Sequence, residues 1–286
     1  MLGLGTGILH QAYSSEGPYQ STHFIEFDGV NERGLLEQSN DETFMDAINA
    51  SVEGGAYQGG TISFWARSAD IVLPNNGNLN YFMGDQLISF PNVYSFYIAT
   101  LNDSGDAKIQ FHRSDVNLAT SVITTWQSAK CATVTLSDDT WHHFAVTLYP
   151  FSSSWRAQVY VDGVSRSLTQ ISATNAANTS SPTVSGLDHH IASQDGTNHN
   201  AFDIDEIGIW KSKLSADEVA YIYSQGNTTT SVDFSQDAGD YVSSSKLYSW
   251  YKMGDDKTGF TSSNQPDATG NGRDMTLVNS PSRTAH

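Results

Sequence analysis

Short segments that alternate apolar and polar residues, separated by clusters of Gly, Asn, Asp and Ser, run through most of this chain. That rhythm restricts the fold more than any other feature, because a period of two suits a strand with one buried face and does not suit a helix. In Thr61-Ile-Ser-Phe-Trp65, Ile62 and Phe64 share a face. In Trp141-His-His-Phe-Ala-Val-Thr-Leu148, Phe144, Val146 and Leu148 share one face, and His143, Ala145 and Thr147 the other. Tyr94-Ser-Phe-Tyr-Ile-Ala99 and Lys108-Ile-Gln-Phe-His112 predict antiparallel neighbours joined through Asn102-Asp-Ser-Gly105. Arg156-Ala-Gln-Val-Tyr-Val161 runs into Asp162-Gly163, a pair that tolerates the positive φ of a tight hairpin, with Val164 to Leu168 as the return strand. Many short strands at such spacing predict an all-β sandwich or barrel.

Two departures from strict alternation are informative. In Phe202-Asp-Ile-Asp-Glu-Ile-Gly-Ile-Trp210, Phe202 and Ile204 have one parity and Ile207 and Ile209 the other, so a β-bulge at Asp205-Glu206 is needed to keep both pairs inward. Ser215-Ala-Asp-Glu218 then reads as a capping box, with Val219 and Ile222 on a helical stripe and Gly226 as the stop, which predicts one short helix. Ser172 to Ser185 has too little to bury and is expected to be a surface loop. Residues 240–286 contain two more strand-like runs, Leu247 to Met253 and Asp274 to Val278. They are expected to close the main sandwich, because a piece of roughly 40 residues without cross-links rarely holds its own core.

The chain has 286 residues, with 14 Lys and Arg against 31 Asp and Glu, a formal charge of −17. Nucleic acid is therefore not an expected partner, since each phosphate contact needs a cationic side chain. No run approaches the roughly 20 apolar residues that cross a bilayer, so membrane insertion is not expected either. Cys131 is the only cysteine, which excludes an intrachain disulfide and reads as a small buried apolar residue. Residues 1–22 open with the apolar, Gly-rich Met1-Leu-Gly-Leu-Gly-Thr-Gly-Ile-Leu9, which lacks a basic region and a small-residue cleavage site. No signal peptide is expected there, and the segment reads as an arm that docks on a partner or another subunit.

Phe27-Asp28-Gly29, Thr61 to Trp65, Trp141 to Thr147, Val159-Tyr-Val-Asp-Gly163, and Ile204 to Trp210 followed by Leu214-Ser-Ala-Asp-Glu-Val219 occur in order across residues 24 to 226. Together they resemble the laminin-G-like, concanavalin-A-like jelly-roll domains. The resemblance implies an all-β, antiparallel jelly-roll β-sandwich over residues 23–286. In many such domains a Trp-containing strand and a loop like Asp267-Ala-Thr-Gly-Asn-Gly-Arg-Asp274 precede the Phe-Asp-Gly piece. Here they follow the helix, as in a circular permutation. This layout, the Gly-rich N-terminus and Trp250-Tyr-Lys-Met-Gly-Asp255 are similar to laminin-G-type proteins of marine bacteriophage virions. That looser resemblance implies a non-enzymatic virion protein, a capsid decoration, head fibre or tail component assembled in the host cytoplasm. Its partners would be other virion structural proteins, further copies of itself, as a trimer if it forms a spike, and host surface glycans. A lectin outside any virion is the alternative reading, and a glycoside hydrolase or lyase the third.

Candidate site residues follow from chemistry and from that resemblance. Related hydrolases carry a Glu-x-Asp-x-x-Glu strand, and the corresponding register here is Asp203-Ile-Asp205-Glu-Ile-Gly208, with the third carboxylate absent. A catalytic pair is therefore not expected. The resemblance implies a structural calcium near the bulge, with Asp205, Asp267 and Asp28 as the candidate ligands, since a hard cation takes carboxylate and carbonyl oxygens. Tyr94, Tyr97, Trp126 and Trp155 are the candidate platforms for stacking on sugar rings. His142-His143 and His189-His190 do not read as metal chelates, because adjacent strand residues point to opposite faces.

Overall fold

A computed structural model describes residues 21–75, 77–85, 96–117, 122–151, 154–174, 188–194, 196, 198–226, 232–255 and 258–286. Two large antiparallel sheets face each other. The first runs, edge to edge, through β12 (Val164–Arg166), β11 (Ser154–Val161), β10 (His142–Phe151), β5 (Gly60–Arg67), β15 (Ala201–Trp210), β1 (His23–Asp28) and β19 (Ser282–Ala285), and β16 (Leu247–Tyr251) also pairs with β15. The second runs through β13 (Leu168–Thr174), β9 (Val122–Cys131), β8 (Asp106–Asn117), β7 (Phe96–Asp103), β6 (Leu79–Gly84), β14 (His189–Ile191), β2 (Arg33–Leu36), β18 (Met275–Val278) and β17 (Asn264–Gln265). A small ribbon of β3 (Val52–Glu53) and β4 (Ala56–Tyr57) lies apart.

The period-two pattern explains the core. Ile62 and Phe64 from β5, Phe144, Val146 and Leu148 from β10, and Phe96, Ile98, Ile109 and Phe111 from β7 and β8 meet between the sheets. Phe64, Phe82 and Phe144 pack ring on ring, with centroids 4.6 to 5.6 Å apart. The opposite parity of the first sheet is also buried. Ala145, Tyr160, Trp210 and Trp250 lie under helix α2 (Ala216–Gln225), whose Val219 and Ile222 complete a second apolar layer with Phe234 and Tyr241. Ser215 and Glu218 form the reciprocal capping box of α2.

One helix is not enough to describe the chain. A further helix, α1 (Phe44–Asn49), is capped by Thr43 and Asp46, and its Phe44 reaches the Phe96 ring at 5.4 Å. The return strand after Asp162-Gly163 also differs from the sequence reading. β12 stops at Arg166, and β13 leaves for the other sheet, where it pairs with β9 as far as Thr174. The C-terminal strands enter both sheets: β16 and β19 the first, β17 and β18 the second.

The bulge at Asp205-Glu206 is present, with the pairing to β5 shifting between Asp205 and Gly208 and Glu206 at a φ of 50°. It sits where the opposite edge of β15 changes partner. β1 pairs with residues up to Ile204, and β16 takes over from Ile207. A bulge adds a residue and a local bend, and here it divides one strand between two neighbours.

Candidate functional site

Strand alternation gives the second sheet an outer face of a different character from the core. With Phe96, Ile98, Ile109 and Phe111 turned inward, Tyr97 in β7 and Gln110 and His112 in β8 turn outward. In β14, His189 is fully buried, and its ring stacks on Phe96 at 5.0 Å and lies 3.3 Å from Asp85. His190 takes the other side. The register then aligns one rank of residues across six strands: His112 opposite Tyr97, Tyr97 opposite Gly84, Gly84 opposite His190, His190 opposite Leu35, and Leu35 opposite Thr276.

The rank is braced by its own contacts. Tyr97 stacks on His112 with centroids 5.1 Å apart and ring planes 8° from parallel, and it meets Tyr81 edge-on at 5.5 Å. Gln110 donates to the Tyr97 hydroxyl at 2.5 Å. Tyr81, Gln110, His112 and His190 keep part of their surface in solvent. Gly84 leaves room for a crossing segment: a Cβ there would stand 2.9 Å from the carbonyl oxygen of Gln194. That segment is anchored by Ala192 donating to Phe82 and by Asn200 donating back to Ala192. The face thus offers an aromatic ring, an amide and imidazoles beside a loop. Such groups exchange hydrogen bonds with hydroxyls and lie against C–H surfaces.

Of the stacking platforms expected from the sequence, Tyr97 lies in this rank. Tyr94 lies outside the described residues, and so does the side chain of Trp126. Tyr97 is 5% exposed and Trp155 4%. Trp155 packs on Tyr57 at 5.8 Å. Both rings are packing elements, because large apolar area is taken out of water first, and neither shows an open face to a sugar. Tyr97 instead holds Tyr81 and His112 in place. Tyr81, Gln110, His112 and His190 were not singled out as sugar-contacting residues. The parity of Phe96 to Ala99 was the available signal, once it was known which sheet faces the core.

The acids expected to bind calcium do not assemble. Asp28 accepts the amides of Val30, Asn31 and Glu32, a turn cap in which the Val30 bond is the main cause of its lowered pKa. Asp267 accepts the amides of Trp250 and Thr269 and the Thr269 hydroxyl. Asp205 accepts Ser21 Oγ at 2.7 Å and its neighbour's amide, and its Oδ2 meets His286 Nε2 at 3.0 Å. Among the described residues, no group of three or more His, Cys, Asp or Glu is placed to hold a metal ion. Each acid is satisfied locally by donors, so the three do not form the oxygen cage a calcium ion needs.

The broken hydrolase register is equally unavailable. Asp203 is paired with Arg67 at 2.6 Å. Burial pushes Asp205 and Glu206 well above ordinary carboxylate values, Ser21 opposing the shift in Asp205, and the Asp205 charge adding to it in Glu206. Ser21, Asp205 and His286 do meet, yet serine and histidine both point to Asp205 Oδ2, so the histidine does not stand between nucleophile and acid as a triad requires.

Two facing antiparallel sheets with a covered back and a polar, partly open front define the class of lectin-type jelly-roll sandwiches. A model of the concanavalin A-like lectin/glucanases superfamily matches residues 44–220, more than half of the chain, and the chain belongs to that superfamily. No curated protein matches the sequence. Among solved structures, the chain is similar to a protein of Bacteroides ovatus named for an inferred carbohydrate-binding role, with 12% identity, a TM-score of 0.52 and 93% of this chain covered. The chain spans 60% of that protein's length. It is more loosely similar to the Ruminococcus gnavus IT-sialidase CBM40 bound to alpha2,3 sialyllactose, with 10% identity, a TM-score of 0.43, and 72% of this chain and all of the other covered. Similarity at this level describes the fold.

Proposed function

We propose that this protein is a non-catalytic carbohydrate-binding protein that holds a glycan on the outer face of its second sheet. The observation that carries the reading is the rank of His112, Tyr97, Gly84 and His190, aligned across four strands and flanked by Tyr81 and Gln110. Partly exposed rings and amides braced by buried neighbours are pre-organised, so little ordering cost is left to binding. Binding is the supported activity, because the only carboxylates in the hydrolase register are engaged by Arg67 or buried. The fold alone does not choose between lectins and enzymes.

The virion setting adds a location. In that reading, residues 1–22 attach the sandwich to a phage particle and oligomerisation multiplies a weak site. Calcium remains outside the proposed binding step. The testing experiment is a broad glycan array probed with the whole chain and with a Gln110→Ala/His112→Ala variant that keeps the wild-type melt. Binding by the former that falls at least tenfold in the latter supports the reading. An array without a ligand, or equal binding by both proteins, overturns it. Counting copies of the chain in purified particles tests the virion setting separately.

A further inference from the structure

Arg33 occupies an unusual position in so acidic a chain. Arg67 pairs with Asp203, Arg156 lies over the Phe151 ring, and Arg166, Arg273 and Arg283 donate to backbone carbonyls. Among the described residues, the Arg33 guanidinium has no carboxylate, carbonyl or ring partner, and its Nε is buried without a hydrogen bond. It stands on β2 two residues from Leu35, on the outer face and at one end of the rank just described.

Two further nitrogens, on β14 and on the segment that follows it, are in the same condition. Nδ1 of His190 and Nε2 of Gln194 are buried and unpartnered, and Gln194 is only 3% exposed. Gly196 brings Arg33 and His190 together: a Cβ on it would lie 3.3 Å from Arg33 Nε and 3.3 Å from His190 Cε1. Gly196 has a φ of 77° and is held by Ser193 Oγ at 2.9 Å. A side chain there would crowd both groups. Buried nitrogens without partners are costly, about 1–3 kcal/mol each. Two beside one glycine, with a third on a side chain two residues before it, mark a place built to receive acceptors.

Among the described residues, the carboxylates that act on His190 are Asp188 and Asp85, and Asp85 already accepts the Phe96 amide. Burial, with the Arg33 charge second, holds His190 down to about 4, so its ring is neutral at pH 7 and can meet a hydroxyl as donor or acceptor. The fixed positive charge is that of Arg33. A guanidinium presents a planar fork that pairs bidentately with an oxyanion such as a carboxylate.

Resting on the carbohydrate-binding reading, we propose that Arg33, His190 and Gln194 form a subsite for the carboxylate of an acidic sugar, so that the face selects glycans carrying uronic or other carboxylated residues. The partly exposed Tyr81, Gln110 and His112 hold neighbouring sugar units, and Arg33 fixes the charged one.

The experiment titrates the whole chain with uronate oligomers and sialylated lactose, each beside its methyl ester, and with a sulfated neutral oligosaccharide. The free acid of at least one series is expected to bind ten times or more tighter than its ester. Arg33→Gln removes that preference while leaving the melt unchanged, and Arg33→Lys restores part of it. Equal affinity for acid and ester, an unchanged preference in Arg33→Gln, or tighter binding of the sulfated sugar overturns the subsite. If neutral glycans bind through Gln110 and His112 without an acid preference, this inference fails and the proposed function stands. If no glycan binds at all, both fail.

Discussion

The Trp250 indole donates its Nε1 hydrogen to Glu206 Oε2 at 2.7 Å, at the point where β15 exchanges β1 for β16 as its neighbour. The other Glu206 oxygen is buried without a partner, and burial together with the Asp205 charge favours the protonated acid. One hydrogen bond thus ties the bulge residue to the strand that replaces β1. Trp250→Phe removes it and orphans a second oxygen, with an expected loss of about 1–3 kcal/mol in chemical denaturation. Glu206→Gln keeps an acceptor for the indole and a neutral group, so a loss below about 1 kcal/mol is expected.

Stability should also fall toward alkaline pH. Burial pushes Glu42 up to about 7 from an ordinary value of 4.5, although its carboxylate accepts the Glu37 amide. A raised folded value means the folded chain holds the proton more tightly. Its contribution is complete below 4.5 and is lost as pH rises through 7. Melts of Glu42→Gln between pH 5 and 8 should show a shallower decline than wild type. An unchanged slope would remove Glu42 from the account.

The acid limb has the opposite sign. Burial lowers His143, whose Nε2 meets Ser63 Oγ at 2.7 Å, and His190 to about 4. A depressed histidine stabilises above its ordinary 6.5, and that contribution is lost as pH falls through 4. His190→Asn, at the sheet surface, should weaken the pH dependence between those values without abolishing it, because His143 remains.

Asp267 separates a capping role from a metal role. Its two oxygens take three donors from Trp250 and Thr269. Asp267→Ala is expected to lose about 1–3 kcal/mol, because it leaves the buried Trp250 amide without its acceptor. The wild-type melt is expected to be the same in calcium and in chelator. A rise in calcium that Asp267→Ala abolishes would restore the metal reading.

Much of the fold was legible because it rests on local pattern. Ile62 and Phe64, Phe144 to Leu148, and the parity break at Asp205-Glu206 identify their own inward faces, and the Ser215 capping box marks α2. Helix α1 was not legible: it has six residues, and Phe44, Met45, Ala47 and Ile48 are all buried, so it carries no amphipathic period. Its Thr43–Asp46 box was the one available signal. The end of β12 was hidden for another reason, since the chain changes sheets between Arg166 and Leu168 with no proline or glycine to mark it. The candidate site depends on long-range pairing. Tyr97 was recognised as an aromatic of interest, but its burial comes from Tyr81 and His112 on flanking strands. Arg33 and His190 meet only because β2 and β14 are neighbours and Gly196 folds between them.

The central claim is that the outer face of the second sheet is the binding surface. The most direct measurement labels the histidine rings with nitrogen-15 and follows them by NMR during titration with the strongest glycan from the array. Shifts at His112 and His190, with His142 and His143 on the opposite sheet unmoved, are the predicted result. Shifts confined to His142 and His143, or none at any ring while the glycan binds, would contradict the account.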